Sequence, residues 1–422
     1  MFHTVDHLTE ISDGADPIQI IAIQYHDIIY YQIDGGLSDA QRKYLHDVIV
    51  ENDGKISITK EKLSTDIEMV MDVFGYTYGR PLNPYKGMNE FLSACLGVRN
   101  IIELDGGRKP AKTRSINAKI AACIEATIPW RKPDKQGRTP PEALFHRLTE
   151  VNKKYHLGWN EEETVQAVQR SADLNNRDLD AFATSDRAKF ITNTWKLLPE
   201  FNIELRMRKS YYLKSLTGAM QKMAVFYEYL DPELFYISFR DTETDATNRQ
   251  KAAEARQNID VALTYLRCKL LAYSTVSAAA ELSGGDAPIN LFFGDRPATN
   301  RPTSRRLEDF LTDHQPSRGL GIDNVVLELL RNGRCESASF DPKHAPLAAF
   351  LYAHIGDVGL KLCVKYIMRP MDSENAWLLL KSLPQGPMIQ TLKACSELAI
   401  TRRTKIATII AKLSEDSTES DS

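Results

Sequence analysis

The sequence has few cysteines and no long apolar run. Its six cysteines are spread singly along the 422 residues, with no CxxC pair. Because a lone thiol in an apolar helix behaves as a small hydrophobic side chain, we predict no disulfide and a reducing compartment. No signal-peptide core is found near the N-terminus, and apolar runs such as Ile18–Ile23 are far too short to span a bilayer. We therefore expect a soluble intracellular protein.

A strong net charge of either sign is also absent. The 53 lysines and arginines nearly balance the 56 acidic residues, which leaves a formal charge of −3. A nucleic-acid-binding protein with this balance must concentrate its cations in one groove and offset them elsewhere. The length and the 43% hydrophobic content are sufficient for two or three domains with large cores.

Familiar catalytic and metal-binding motifs are missing. The sequence has no GxxxxGK[ST], no GxGxxG after a strand, no HExxH and no GxSxG. His3 and His7 fall in a segment expected to be a flexible arm, and His26 is interpreted as a packed or rim histidine. We predict that the protein is not an enzyme, uses no cofactor and holds no metal.

The spacing of apolar residues predicts a mainly α fold with a small β-patch near the N-terminus. The Ile- and Tyr-rich segment Ile18–Asp34 favours a hairpin or two short strands, with Lys55–Thr59 as a possible third. Ser38 is a suitable N-cap for a helix that is predicted to continue to Asn52. From about Ser64 onward, apolar residues recur at three- and four-residue steps, which predicts helices.

Two helical lobes with flexible ends are expected. Residues 1–17 are predicted to be an arm, residues 18–240 the N-terminal lobe and residues 258–413 the C-terminal lobe. A loop rich in Gly, Pro and Arg is predicted at residues 283–318. The acidic, serine-rich residues 414–422 have no apolar side chain and are predicted to be disordered.

The most informative segment is Phe201–Leu230, which combines an apolar helical stripe with cations and tyrosines. Lys214 and Lys222 project roughly opposite the stripe, with Tyr211 beside them. Cations next to stackable rings suit single-stranded nucleic acid, although an ordinary core helix with a solvated basic edge fits the pattern equally well. The stripe consists of Leu213, Leu216, Met220, Met223, Tyr227 and Leu230.

Compact basic clusters occur in both predicted lobes. Any one of them is typical of a solvated surface, but together they fit a cleft between the lobes that follows a phosphate backbone without reading bases. Either Tyr211 or Tyr212 is expected to stack on a base. The candidate RNA-binding residues are Arg131, Lys132, Lys135, Arg138, Arg206, Arg208, Lys209, Tyr211, Lys214, Lys222, Arg305, Arg306, Arg318, Lys361, Lys365 and Arg369.

This organisation resembles that of the nucleoproteins of negative-strand RNA viruses, most of all the plant rhabdovirus type. Those proteins are similar in length, in their two helical lobes and in their near-neutral balance. They also place an Arg- and aromatic-containing helix against the RNA, and Glu204–Leu216 is similar in kind. By this resemblance, Met1–Pro17 and Ser283–Arg318 would be the arm and the loop that embrace neighbouring protomers.

The resemblance implies a protein that polymerises along viral single-stranded RNA and shelters it in the groove between the lobes. Its partners would be RNA, further copies of itself, a viral phosphoprotein and the viral polymerase, with no membrane. Its location would be the virion and the host cytoplasm or nucleus. The main alternative is a helical oligomeric scaffold for protein interactions without a nucleic-acid ligand. An enzyme with an unrecognised motif is the third class.

Overall fold

The fold is mainly α-helical, as the apolar periodicity predicts. The computed structural model describes residues 5–106, 110–207, 210–294, 305–312 and 319–420. The first helices are α1 (Val5–Ser12), α2 (Pro17–Tyr25), α3 (Tyr31–Asp34), α4 (Asp39–Leu45), α5 (Thr65–Val73), α6 (Met88–Asp105), α7 (Pro110–Ala126), α8 (Pro140–Tyr155) and α9 (Glu161–Asp178).

The later helices include the mid-chain helix singled out by the sequence, which is α13. They are α10 (Arg187–Trp195), α11 (Leu198–Phe201), α12 (Glu204–Met207), α13 (Leu213–Tyr229), α14 (Thr242–Gly284), α15 (Ile289–Phe293), α16 (Asn324–Asn332), α17 (Pro346–Ile367), α18 (Ser373–Ser382), α19 (Gln385–Leu398) and α20 (Arg403–Ser420). Short 3-10 turns occupy Asp180–Ala183, Pro232–Leu234, Leu307–Phe310 and Ile400–Arg402.

Within the described residues, the sheet is a single hairpin of β1 (Ile49–Asn52) and antiparallel β2 (Lys55–Ile58). Asp53 and Gly54 form its two-residue turn, and both have positive φ. Asp-Gly suits this turn because the mirror-image turn types match the twist of the strands. Strand β2 confirms the possible third strand predicted at Lys55–Thr59. Its partner β1 comes from a segment predicted to continue the helix after Ser38.

The predicted strands at Ile18–Asp34 are wrong, because the segment forms α2 and α3. Asp16 accepts hydrogen bonds from the amides of Ile18 and Gln19, and the Gln19 side chain accepts one from the Asp16 amide. Pro17 occupies the first helical turn. This capping box and proline start a helix strongly enough to outweigh the β-propensity of isoleucine.

Both chain ends are more ordered than predicted. The expected flexible arm contains α1, which packs against α2 and α9. The tail predicted to be disordered continues α20 as far as Ser420, and Asp421 and Ser422 lie outside the described residues. Extending an existing helix needs no new nucleus, so an acidic segment can remain helical without burying apolar surface.

The predicted loop at residues 283–318 contains more structure than expected. It includes the end of α14, the short helix α15 and the 3-10 turn Leu307–Phe310. Two hydrogen bonds, from the Leu213 amide to Ala287 and from the Ile289 amide to Tyr211, attach its first part to the start of α13. Residues 295–304 and 313–318 of this segment lie outside the described residues.

The chain divides into two compact units by its internal contacts. The N-terminal unit comprises Phe2–Ala183 and Asp231–Arg256, and the C-terminal unit comprises Thr184–Leu230 and Gln257–Ser422. The predicted boundary near residues 240–258 is therefore incomplete, because residues 184–230 group with the C-terminal unit. Apolar periodicity within a helix does not show which core that helix joins.

The core of the N-terminal unit is built around α7. This helix packs against α2, α5, α6, α8 and α9. Its residues Ile120, Ala121, Ala122, Cys123 and Ile124 are all fully buried. Five consecutive buried positions exceed a single helix face, so α7 is a central helix and not an amphipathic surface helix.

The later part of α14 is a core helix of the C-terminal unit, as its apolar sequence predicts. Tyr265, Leu266, Leu270 and Val276 are fully buried. The apolar stripe of α13 is confirmed as well, since every one of its residues is at most 8% exposed. Five of the six cysteines are buried and all six are free.

Helix α17 is long and apolar enough to cross a membrane by length and composition alone. It is interrupted at Gly356, and 61% of its most apolar window is buried in the structure. Core helices of soluble proteins share these properties, so the helix is weak evidence for a membrane segment.

An ionic cluster that residue spacing does not indicate lies in the interior of the C-terminal unit. The Asp341 carboxylate contacts Lys269 Nζ at 2.5 Å and Arg334 Nη1 at 2.9 Å, and it accepts a hydrogen bond from Tyr273 Oη at 2.6 Å. Burial by itself raises the pKa of Asp341, but the charges of Lys269 and Arg334 and their hydrogen bonds hold it below its usual value. Burial lowers the pKa of the Lys269 ammonium to about 8.

This lowered pKa predicts a pH dependence of stability. Between about pH 8 and 10.5 the folded chain has released the Lys269 proton that the unfolded chain still holds, so the contribution of Lys269 to stability rises with pH. From pH 7 to pH 9.5, wild type is expected to gain about 2 kcal/mol in unfolding free energy relative to Lys269→Met. Urea unfolding of both proteins at the two pH values measures this difference. Parallel changes in the two proteins would contradict the prediction.

Candidate functional site

A cleft in the C-terminal unit brings together two cations that are far apart in the sequence. Lys214 lies on α13, and Arg369 follows the end of α17. Both line a cavity of about 330 Å³, which is within the size range of small-molecule sites. Both side chains are exposed to solvent, so their charges are accessible to a ligand.

One face from each of two helices forms the walls of this cleft. Helix α13 contributes Lys214, Thr217 and Gln221, and α14 contributes Ser274, Ser277 and Glu281. In both helices these residues follow three- and four-residue steps, which places them on one side of the helix. The opposite side of α13 carries the buried apolar stripe, so packing of the stripe orients the polar face toward the cleft.

Gln221 holds the rim of the cleft in place. Its Nε2 donates to the carbonyl oxygens of Ile367 at 2.8 Å and Arg369 at 3.1 Å. These two bonds attach the segment after α17 to α13, and Asp372 on the same rim caps α18 through the Asn375 amide. The position of the Arg369 backbone is therefore fixed while its guanidinium remains in solvent.

Ser277 provides a polar group without a partner at this site. The residue is 4% exposed, lines the cleft, and its Oγ makes no hydrogen bond in the described part of the chain. A buried hydroxyl without a partner costs free energy, and a ligand atom that bonds to it removes that cost. The cleft therefore combines two cations with an unsatisfied hydroxyl, which suits an anion such as a phosphate group.

The cations of the cleft are partly balanced by acids. Lys214 Nζ lies 3.3 Å from Glu281 Oε2, and its backbone amide lies 3.4 Å from Asp286 Oδ1. Burial raises the pKa of Asp286, against the lowering effect of the hydrogen bonds that it accepts from the Ala287 and Lys214 amides. The Lys214–Glu281 pair is half exposed on the lysine side, so it is a weak ion pair that an entering anion can displace.

Comparison of the chain with protein-family models, curated proteins and solved structures finds no match. Its function must therefore be inferred from its own residues. Whether a candidate residue can bind RNA depends on its exposure and on its partners in the structure.

Tyr211 is not available to stack on a base. Its ring is 1% exposed, and its hydroxyl donates to the Phe340 carbonyl. The prediction for this residue is wrong because it lies inside the junction between α13 and the Ala287–Ile289 segment. Its neighbour Tyr212 points outward and is 45% exposed, as alternation along an extended backbone requires.

Arg131 is held by a buried acid. Its guanidinium forms an ion pair with Glu125, whose side chain is 1% exposed, and Arg147 binds the same carboxylate. Arg131 therefore balances a core charge in the N-terminal unit, and the prediction that it binds RNA is not supported. Arg138 is paired with Asp134 at 2.8 Å. The two candidate lysines of the same segment, Lys132 and Lys135, are exposed.

The other candidates lie in the C-terminal unit and differ in their surroundings. Arg306 pairs with Glu308 at 3.2 Å, Arg305 stacks on Phe310 at 4.5 Å, and Lys222 Nζ donates to the Phe201 carbonyl at 3.2 Å. Exposed or partly exposed candidates with no ion pair among the described residues are Arg206, Lys361, Lys365 and Arg369. Candidates outside the described residues are Arg208, Lys209 and Arg318.

The hydroxyl side of the cleft was not predicted from the sequence. Ser274 and Ser277 interrupt the most apolar stretch of α14 at a three-residue step. Two small polar residues on one face of a core helix were the available signal. The two serines indicate a binding site only in combination with Lys214 and Arg369, which line the same cleft.

Proposed function

We propose that this chain is a nucleoprotein that binds viral single-stranded RNA along its phosphate backbone and polymerises on it. The observation that supports the proposal best is the convergence of Lys214 and Arg369 on one cleft. Cations that are held in place by packed helices can bind successive phosphates without reading the bases. The unsatisfied Ser277 hydroxyl adds a neutral donor for a phosphate oxygen.

Two exposed lysines outside the cleft provide further groups for binding phosphates. Lys361 and Lys365 lie one turn apart on α17, and Lys365 Nζ is 4.7 Å from the centre of the Tyr366 ring. A cation over an aromatic ring presents both a phosphate partner and a stacking surface. Self-association, a phosphoprotein chaperone and the viral polymerase are the partners that this proposal includes, and it assigns no catalytic step.

The decisive test is RNA binding by a double variant of the cleft. Fluorescence polarisation with labelled oligo(U), after a high-salt wash to remove host RNA, measures affinity at several salt concentrations. Because hydrogen bonds to charged groups contribute about 1.5–3 kcal/mol each, Lys214→Ala with Arg369→Ala is expected to weaken binding at least about tenfold. Loss of two phosphate contacts makes the slope of log affinity against log salt shallower by about 1.4.

Two matched controls make this test specific. Lys393→Ala with Lys405→Ala removes two exposed cations of the same unit that do not line the cleft, and it should preserve the slope. Glu281→Gln removes the acid paired with Lys214 and is expected to tighten binding a few-fold. The proposal fails if both double variants behave alike, or if the wild-type protein does not bind oligo(U) at low salt.

A second function is favoured by an exposed apolar pair. Val358 and Leu362 lie one turn apart on α17 and are 60% and 61% exposed. Such a pair is typical of a contact surface in the protein-interaction scaffold of the alternative hypothesis. The ratio of absorbance at 260 and 280 nm of the purified protein, before and after a high-salt wash, separates the two functions. A clean protein ratio at low salt favours the scaffold.

A further inference from the structure

Three helices of the N-terminal unit bring two histidines and an aspartate together. His7 lies on α1, His26 directly follows α2, and Asp178 is the last residue of α9. The three ligand atoms lie within 4.8 Å of one another, although His7 and Asp178 are 171 residues apart in the sequence. Asp27, next to His26, adds a second carboxylate. Sequence spacing gave no sign of this cluster.

Two distances in the cluster are close to those between ligands of a tetrahedral metal ion, whereas the His26–Asp27 distance is that of an ion pair. His7 Nε2 lies 3.0 Å and His26 Nε2 lies 3.6 Å from Asp178 Oδ1, and Asp27 Oδ2 lies 2.7 Å from His26 Nε2. Ligands about 2.1 Å from a tetrahedral ion stand about 3.4 Å apart. Small side-chain shifts would therefore convert the present arrangement into a coordination shell.

His26 is oriented as metal-bound histidines usually are. Its Nδ1 is 2.7 Å from the Ile23 carbonyl, which accepts the Nδ1 proton and directs Nε2 toward the carboxylates. The Nε2 atom is buried and makes no aligned hydrogen bond, even though two carboxylates lie close to it. Two carboxylates beside Nε2 favour a positive species at this position, and a metal ion would bind there in place of a proton.

The surroundings restrict which cation fits. The side chains of His7 and His26 are 10% and 2% exposed, so most solvent is excluded. Two imidazole nitrogens with carboxylate oxygens are the donor set of Zn²⁺, whereas Mg²⁺ and Ca²⁺ require oxygen ligands. We propose that His7, His26 and Asp178 bind one Zn²⁺ ion.

Such an ion would fasten the start of the chain. Helix α1 packs against α2 and α9, and the ion would join all three helices at one point. The role of the ion would be structural, because it would join three helices at a site from which most solvent is excluded. It does not depend on RNA binding and can be tested independently of it.

The test uses the full-length chain, stripped of metal and titrated with Zn²⁺ in competition with a chromophoric chelator. Wild type is expected to bind one equivalent, and Co²⁺ in its place should give the visible absorption of a tetrahedral complex. His7→Gln and Asp178→Asn are expected to lower the affinity at least about tenfold. His46→Gln is the matched control, since its side chain is 75% exposed and lies outside the cluster.

Folding of the variants is checked by circular dichroism without metal. His7 is the most informative ligand position, because it lies near the chain start and its loss leaves α2 and α9 intact. Zn²⁺ is expected to protect α1 from a protease in wild type but not in His7→Gln. This result would show that the ion binds at α1. The proposal is overturned if wild type binds no Zn²⁺, if His7→Gln and Asp178→Asn bind it as wild type does, or if His46→Gln loses affinity equally.

Discussion

Replacing Asp341 with alanine is expected to lower the free energy of unfolding of the C-terminal unit by about 3–5 kcal/mol. The carboxylate contacts two cations, Lys269 and Arg334, and all three side chains are at most 2% exposed. Without Asp341, both cations remain buried with no anion to offset their desolvation. Tyr273 also loses the acceptor of its hydroxyl.

The surroundings of the cluster make this loss difficult to compensate. Trp195 lies 4.6 Å from the Arg334 guanidinium and 5.0 Å from Lys269 Nζ, and its ring is fully enclosed. Water cannot readily reach the two cations through this aromatic wall. Asp341→Asn keeps an acceptor for Tyr273 but removes the charge, so an intermediate loss of stability is expected.

Urea unfolding followed by circular dichroism measures these differences. Glu150→Ala is the matched control, since Glu150 pairs with Lys153 at 2.9 Å while both side chains are more than 60% exposed. An exposed pair of this kind contributes little to stability because solvent screens it. Equal effects of Asp341→Ala and Glu150→Ala would show that the buried cluster is not a major source of stability.

A second large loss of stability is expected for Gly356→Ala, at about 3 kcal/mol or more. Gly356 interrupts α17 with φ 57° and ψ −165°, a backbone conformation open essentially to glycine alone. A Cβ at this position would lie 2.0 Å from the Leu320 carbonyl oxygen. Because that atom belongs to the backbone, no side-chain rotation can relieve the overlap.

The interruption at Gly356 separates two different halves of α17. Residues 347–353 are buried on all sides, whereas beyond Gly356 only Leu360, Cys363 and Ile367 are buried, on one face. The change of direction therefore leaves Lys361 and Lys365 in solvent. Restoring a continuous helix would displace the segment around Leu320 or the second half of α17.

Gly218→Ala is the control for the Gly356 prediction. Gly218 lies within α13, and a Cβ there would meet no atom within 4 Å. Alanine is favoured over glycine in a helix interior by up to about 1 kcal/mol, so this variant should be slightly more stable than wild type. Thermal unfolding of both variants tests the contrast. A Gly356→Ala protein as stable as wild type would mean that α17 can straighten without cost.

Much of the local structure could be read from the sequence. The stripe of α13, the cap at Ser38 and the central position of the second half of α14 follow from residue spacing and capping, which act over a few residues. The failures at Ile18–Asp34 and at the chain ends have a local cause too. There, composition was given more weight than the start signal at Asp16 or the ease of extending a helix.

The sequence by itself determined the helical class of this protein, the positions of most helices and the supply of cations. Only the tertiary structure decided which cations are already neutralised, as Arg131 is by Glu125, and which remain accessible, as Arg369 does. It also decided that Lys214 and Arg369 line one cleft and that His7 contacts Asp178. Helix periodicity fixes the face on which a side chain lies, but the packing of distant helices determines what that face meets.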